Sequence, residues 1–444
     1  MSVVLPKEIA YTPSLPSLPP DTTNTSIVLA PVNGSTFALG SGSLIQFDLP
    51  ARGFLDPSTL YLRYTWNIVL GAASDPATAN FSAVVGTPAT TPFQRLETIF
   101  GSQIVESVYN WNVVQNLLFS NSLNLAQKGG LGIALGYMDE NDEATFNMNG
   151  RNIEAGAAGT YTFSVAVPLN CILSNCEHLY PLFASPNVRI QLALDSLANC
   201  IKSGGTSTVT SASLSNVELC FDLIDFGVSV ENIVKQTGSP FYIKSESYAC
   251  AQQQLASFQG TAELNFNMRL SSIKSLWAIN GGTNSYNGLY DSFDITQRKV
   301  NYSTLAVSGG GDYVFSIAGK MFPDRPLSTT INKASFLIES QLAKGHAVNE
   351  VGIADNSILA TGYFYANAAT TTAIKPSQFF VGVNTEKLST NNALLSGTST
   401  NNSNITYRIN TLSSSGTANA ICLVAVYDAL IEIDPIARQA TVKQ

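Results

Sequence analysis

Charge is scarce in this chain: Lys, Arg, Asp and Glu make up 12% of its 444 residues, about half the share of an ordinary soluble protein. No run of Lys or Arg occurs, and the balance is 23 basic against 31 acidic residues. Direct neutralisation of nucleic-acid phosphates by the folded body is therefore not expected, because such binders gather positive charge on one face or arm. Histidine is nearly absent. His178 and His346 are the only two, too few and too far apart to build a Ser-His-Asp or Cys-His arrangement readily. No G-x-S-x-G, H-E-x-x-H or phosphate-cradling glycine loop occurs. The nearest glycine run, Val307 to Asp312, has no following Lys-Ser or Lys-Thr and reads as a turn before a strand.

Long apolar runs are missing too. No stretch approaches the ~18 apolar residues that span a bilayer, and Met1 to Leu15 lacks a basic segment followed by an apolar core. The expectation is synthesis in the cytosol, with the six cysteines reduced. Those cysteines, at 171, 176, 200, 220, 250 and 422, have no regular spacing. Cys171, Cys176 and His178 form the one cluster with any metal character, and their spacing fits no standard zinc pattern. The acidic cluster Asp139 to Glu143 offers carboxylates to calcium but lacks the loop-turning glycine of an EF-hand, so a solvated loop is expected. Neither a metal nor a cofactor is predicted. Six N-x-S/T sequons, at Asn24, Asn33, Asn80, Asn301, Asn401 and Asn404, are attributed to a composition rich in Asn, Ser and Thr.

What the chain does have is apolar residues, 45% of the total, set among neutral polar ones. A chain with so little charge is expected to hide much of its exterior in assembly contacts. Its apolar residues alternate. Leu60, Leu62, Tyr64, Trp66 and Ile68 interleave with Tyr61, Arg63, Thr65 and Asn67, and Val217, Leu219, Phe221 and Leu223 repeat the period of two that marks a half-buried strand. A hairpin is predicted to turn at Gly101-Ser102. Further strands are expected near 161–167, 188–194, 262–279, 312–318, 358–366, 378–384, 404–411 and 420–433.

Two segments switch to helical spacing. Trp111, Val114, Leu117 and Leu118 predict a short helix capping the first core, and Phe336, Leu337 and Leu342 predict another within 331–344, after a bend at Pro323-Asp-Arg-Pro326. At this length two domains are expected. The predicted division is an extended arm over 1–26, a β domain over 27–235, a linker at 236–244, a second β domain over 245–435 and a tail at 436–444.

Taken in order, Gly53 to Arg63, the hairpin and helix from Leu96 to Leu118, Leu270 to Trp277 and Pro323 to Pro326 resemble the double jelly-roll major capsid proteins of tailless icosahedral DNA viruses. The chain is most similar to the compact members from polinton-like viruses and virophages, relatives of the algal-virus capsid proteins and the adenovirus hexon. The resemblance runs from about 27 to 435. It implies an all-β fold of two consecutive eight-stranded jelly rolls with a few short helices in connecting loops. It also implies a non-enzymatic shell subunit of the virion, assembled inside the host cell. Three copies would form a pseudo-hexagonal capsomer, with penton and minor capsid proteins, and an underlying membrane, as further partners; no sequence-specific contact with nucleic acid is implied.

Trp111, Leu117, Leu118, Pro323, Arg325, Phe336 and Leu337 are the candidate packing or assembly residues. Two other readings compete. One is a glycan- or receptor-binding spike using Tyr286, Tyr290, Tyr363 and Tyr365, the other a carbohydrate-active enzyme on a jelly-roll scaffold.

Overall fold

Alternation in the sequence becomes sidedness in the fold. Leu60, Leu62, Tyr64, Trp66 and Ile68 are all buried, while Tyr61 and Arg63 between them are exposed. The structure is a computed structural model that describes residues 21–40, 42–71, 80–83, 89–122, 134–135, 159–204, 209–236, 240–255, 260–281, 311–328, 335, 338–339, 342–343, 380–387, 395–411 and 419–444. The predicted strand at 358–366, the acidic cluster at 139–143 and the four candidate sugar-stacking tyrosines lie outside those residues.

In the first lobe the strands are β1 (Thr23–Leu29), β2 (Thr36–Ala38), β3 (Leu44–Asp48), β4 (Phe54–Leu55), β5 (Tyr61–Leu70), β6 (Asn80–Ala83), β7 (Phe93–Phe100), β8 (Gln103–Tyr109), β9 (Gly159–Pro168), β10 (Tyr180–Pro181), β11 (Val188–Leu194), β12 (Ile201–Gly204) and β13 (Val209–Asp225). The second lobe has β14 (Phe241–Leu255), β15 (Gly260–Phe266), β16 (Ile273–Gly281), β17 (Gly311–Ile317), β18 (Lys320–Ser328), β19 (Phe380–Asn384), β20 (Ile405–Thr411), β21 (Asn419–Asp434) and β22 (Gln439–Lys443).

Both lobes follow one plan. β1 and β2 share the same partner, β13, and count as one interrupted strand. With the short β4, β6, β10, β12 and β22 set aside, the described residues form eight principal strands in each lobe. One sheet of the first lobe runs β1/β2, β13, β5, β9 and the other β3, β11, β7, β8; the second lobe repeats this as β14, β21, β16, β19 and β15, β20, β17, β18. In both, the principal strands are ordered 1-8-3-6 and 2-7-4-5. That is two antiparallel four-stranded sheets connected as a jelly roll, built twice.

Facing sheets interdigitate through large side chains. Tyr64 on β5 meets Phe93 on β7 edge-on at 5.5 Å, and Phe93 meets Trp111 at 5.9 Å. Trp111 opens α1 (Trp111–Ser122). The helix starts directly after β8 because Asn110 turns the chain at φ 49°, a left-handed conformation that Asn tolerates better than most residues. The hairpin preceding it turns where predicted, with Gly101 at φ 61°.

Four sequence expectations differ from the structure. β1 starts at Thr23, inside the predicted arm, since its backbone completes the ladder with β13. β14 begins at Phe241, inside the predicted linker, and pairs with β21 along its whole length. It escaped notice because Lys244, Ser245 and Ser247 are buried polar residues, which break the apolar alternation. The predicted tail contains β22, paired with the end of β21. Pro323 and Arg325 lie within β18 rather than in a bend before a helix. Tyr313 pairs with Leu327 and Phe315 with Phe322, so residues 323–326 bulge from the ladder at a strand that, among the described residues, pairs on one side, a position that accepts proline.

Candidate functional site

The two lobes meet through a polar seam. β8 and α1 of the first lobe lie against β14 of the second, and the chain from Cys171 to His178 runs beside them. Glu106 on β8 stands at the centre, 2% exposed. Its carboxylate accepts from the Thr98 hydroxyl at 2.8 Å, from the Ile172 backbone N–H at 2.9 and 3.0 Å, and from the Ser247 hydroxyl across the seam. Around it, Ser245 donates to the Ile172 carbonyl at 2.5 Å, and the Glu177 N–H donates to the Lys244 carbonyl at 3.0 Å. Asn175 donates to the Glu246 carbonyl at 3.0 Å, and Asn110 to the Gln252 side chain at 3.5 Å. Gln444 reaches from the C-terminal end to the Val105 carbonyl.

A buried carboxylate is costly unless its lone pairs are met. Burial pushes the Glu106 carboxyl up from its ordinary value, while the bonds from Ser247, Ile172 and Thr98 pull the other way. The arrangement therefore holds the lobes in one register, because any sliding of β14 against β8 strands a buried acid.

A second buried acid organises the far lobe. Asp428 on β21 accepts from the Ser272 hydroxyl at 2.6 Å and the Ser396 N–H at 2.8 Å, pinning the turn at Ser396-Gly397 against Ile273. No side chain fits at Gly397, where a Cβ would lie 2.3 Å from the Ile273 carbonyl oxygen.

Burial holds the Cys171 thiol at about 12 and pushes Cys176 higher still, the opposite of what a thiolate ligand or nucleophile needs. His178 is exposed. Among the described residues no group of three or more His, Cys, Asp or Glu side chains is placed to hold a metal ion. No described helix is long and apolar enough to cross a membrane. Asn33, one of the sequon residues, uses its side chain to bridge to Leu44 and Gln46.

The candidate residues read from sequence fall in different places. Trp111 is fully buried and donates its indole N–H to the Asn170 carbonyl at 3.1 Å, Leu117 is buried, and Leu118 is half-buried against the core. All three pack into the interior of the first lobe. Pro323 is half-buried and Arg325 exposed on β18. Phe336 and Leu337 lie outside the described residues; of their segment, Ser335, Ile338, Glu339 and Leu342 have helical backbone. The seam residues Glu106, Ser245 and Ser247 were not anticipated. One signal was available: Glu106 stands two residues before the buried Val108, an acid in the apolar phase of its strand.

The duplicated strand order defines the class of fold, a double jelly roll. Solved structures share it from end to end. A chain of the PBCV-1 virus capsid covers 98% of this chain and is itself covered over 98%, at 10% identity and a TM-score of 0.59. The Faustovirus major capsid protein aligns over 97% of this chain and 93% of its own, at 9% identity and a TM-score of 0.61. The mavirus major capsid protein aligns over 99% and 93%, at 9% identity and a TM-score of 0.51. No family model and no curated protein sequence matches.

Proposed function

We propose that this chain is the major capsid protein of an icosahedral virus, a structural subunit rather than an enzyme, and that it forms trimeric capsomers located in the virion shell. The observation that carries this is the doubling. A single chain holds two lobes of identical strand order, locked by a buried polar seam, and aligns over nearly its whole length with proteins described as capsid subunits. Three such chains supply six equivalent lobes, which is how a threefold assembly fills a hexagonal site in a shell. The low charge supports extensive contacts between copies. Penton and minor capsid proteins, and a membrane beneath the shell, belong to the same proposal.

The test is mass and shape. Light scattering on the purified chain is expected to give about three times 47.3 kDa, and negative-stain images a hexagonal outline or closed shells. A stable elongated monomer that binds glycans would overturn the capsid reading in favour of a receptor-binding sandwich.

A further inference from the structure

Strand eight carries an extra short strand at the same place in both lobes. Tyr61, the first residue of β5, pairs with Cys220 of β13, and three positions on Leu223 and Ile224 pair with β4. Ile273, the first residue of β16, pairs with Tyr427 of β21, and three positions on Leu430 begins the pairing with β22. The other side of β13 is taken by β1 and that of β21 by β14, so β4 and β22 lie on the same side as well. β22 stands in the second lobe where β4 stands in the first.

The lobes part at the next strand. β4 is covered by β10, Tyr180 pairing with Leu55 and Pro181 with Phe54. By register, Lys443 and Val442 hold the places of Leu55 and Phe54, and among the described residues no strand pairs with the outer edge of β22. Gln439, Thr441 and Lys443 are exposed. A strand edge with unpaired N–H and C=O groups is a template for one more strand.

We infer that β22 takes up residues 8–12 of a second copy of this chain as an added strand. Glu8-Ile-Ala-Tyr-Thr12 lies between Pro6 and Pro13, is free of proline, and matches the five residues of β22 in length. Ile9 and Tyr11 alternate in it, residues that favour strands. Glu8 brings a carboxylate to an edge flanked by the exposed Arg438 and Lys443.

Reach decides between the chain's own arm and a neighbour's. The described chain begins at Asp21, beside Gly227 and two residues before β1. In the stacked orders 1-8-3-6 and 2-7-4-5, strands one and five fall on opposite flanks of a lobe, and strand five of the first lobe makes the seam. A path from Asp21 to the outer edge of its own β22 therefore crosses four strands of the first lobe and then β14, β21 and β22. That is about 34 Å at ~4.8 Å per strand, before the gap between lobes is added. The steps from Thr12 to Asp21 reach at most about 32 Å fully extended, and less in a proline-rich run. The strand then comes from a neighbour. Each chain gives one arm and receives one, an unlike contact that closes into a ring. This rests on the capsomer reading and names one of its contacts.

Ala10 and Thr441 are the middle residues of the two segments and meet whether the added strand runs parallel or antiparallel. Co-expressed Ala10→Cys and Thr441→Cys chains, treated with oxidised glutathione, are expected to give a covalent dimer of about twice 47.3 kDa, with the linked peptides 10 and 441 found by mass spectrometry. The double variant is expected to give a covalent trimer; a link between 10 and 441 at monomer mass would assign the arm to its own chain and overturn the proposal. Removal of residues 2–12 is expected to speed hydrogen exchange at the outward N–H groups of β22 at least tenfold, with β13 unchanged. Trimers by light scattering that lack the link, or β22 exchange that ignores the deletion, overturn the added strand and leave the capsomer reading intact. A wild-type chain that stays monomeric overturns both.

Discussion

Gly382 lies directly opposite Trp277 in the β16–β19 ladder, and a Cβ placed on it would sit 2.6 Å from two carbons of the indole ring. The ring, 4% exposed, covers the place where a side chain would stand. Gly382→Ala is therefore expected to lower stability by about 1–3 kcal/mol, because a packed interior cannot absorb another methyl without shifting a ring. Denaturant midpoints measure it; a value equal to wild type would mean that Trp277 moves freely.

Trp111 combines complete burial, an edge-on contact with Phe93 and a hydrogen bond to Asn170. Trp111→Ala is expected to cost about 3–5 kcal/mol. Trp111→Phe, which keeps a ring but leaves the Asn170 carbonyl without that donor, is expected to fall between the two in urea unfolding.

Glu106 gives the fold a pH dependence of known sign. Its native carboxyl is raised above the ordinary 4.5, so over a window upward from 4.5 the folded chain keeps a proton that the unfolded chain has lost. The group's contribution is complete below that window and is lost as pH rises through the native value. Glu106→Gln places an amide among three donors and is expected to destabilise the protein by about 1–3 kcal/mol at acid pH. The deficit relative to wild type should shrink as pH rises. Urea midpoints of both proteins from pH 4 upward decide this, and a deficit independent of pH would mean that the native carboxyl titrates normally.

β22 binds the second lobe's longest strand, and its end reaches the first lobe. Lys443 pairs with Glu432 at 2.8 Å, and Gln444 bonds Val105. Removal of Gln439 to Gln444 is expected to cost about 2 kcal/mol or more and to make the lobes unfold less cooperatively, visible as a broadened or split calorimetric transition.

Much of the strand content was legible. The run Leu60 to Ile68, the hairpin at Gly101, and Val217 to Leu223 each display a period of two that burial then respects, and Trp111, Val114 and Leu117 mark α1 by their helical spacing. β14 was not legible, because Lys244, Ser245 and Ser247 are polar for the sake of a neighbour remote in sequence. β18 was misread because Pro323 and Pro326 signal a bend, and only pairing with β17 shows the bend to be a bulge.

Local alternation is a property of neighbouring residues, since successive side chains of an extended chain point to opposite sides. The sequence by itself therefore determined that this protein is a run of amphipathic strands, low in charge, interrupted by a helix at Trp111. Which strands lie together depends on closure between segments far apart in the chain. Glu106 meets Ser247 across 141 positions, and neither residue announces the other. Tertiary structure alone decided the 1-8-3-6 and 2-7-4-5 orders and the seam between lobes, because the cost of stranding a buried carboxylate exists only once those segments have met.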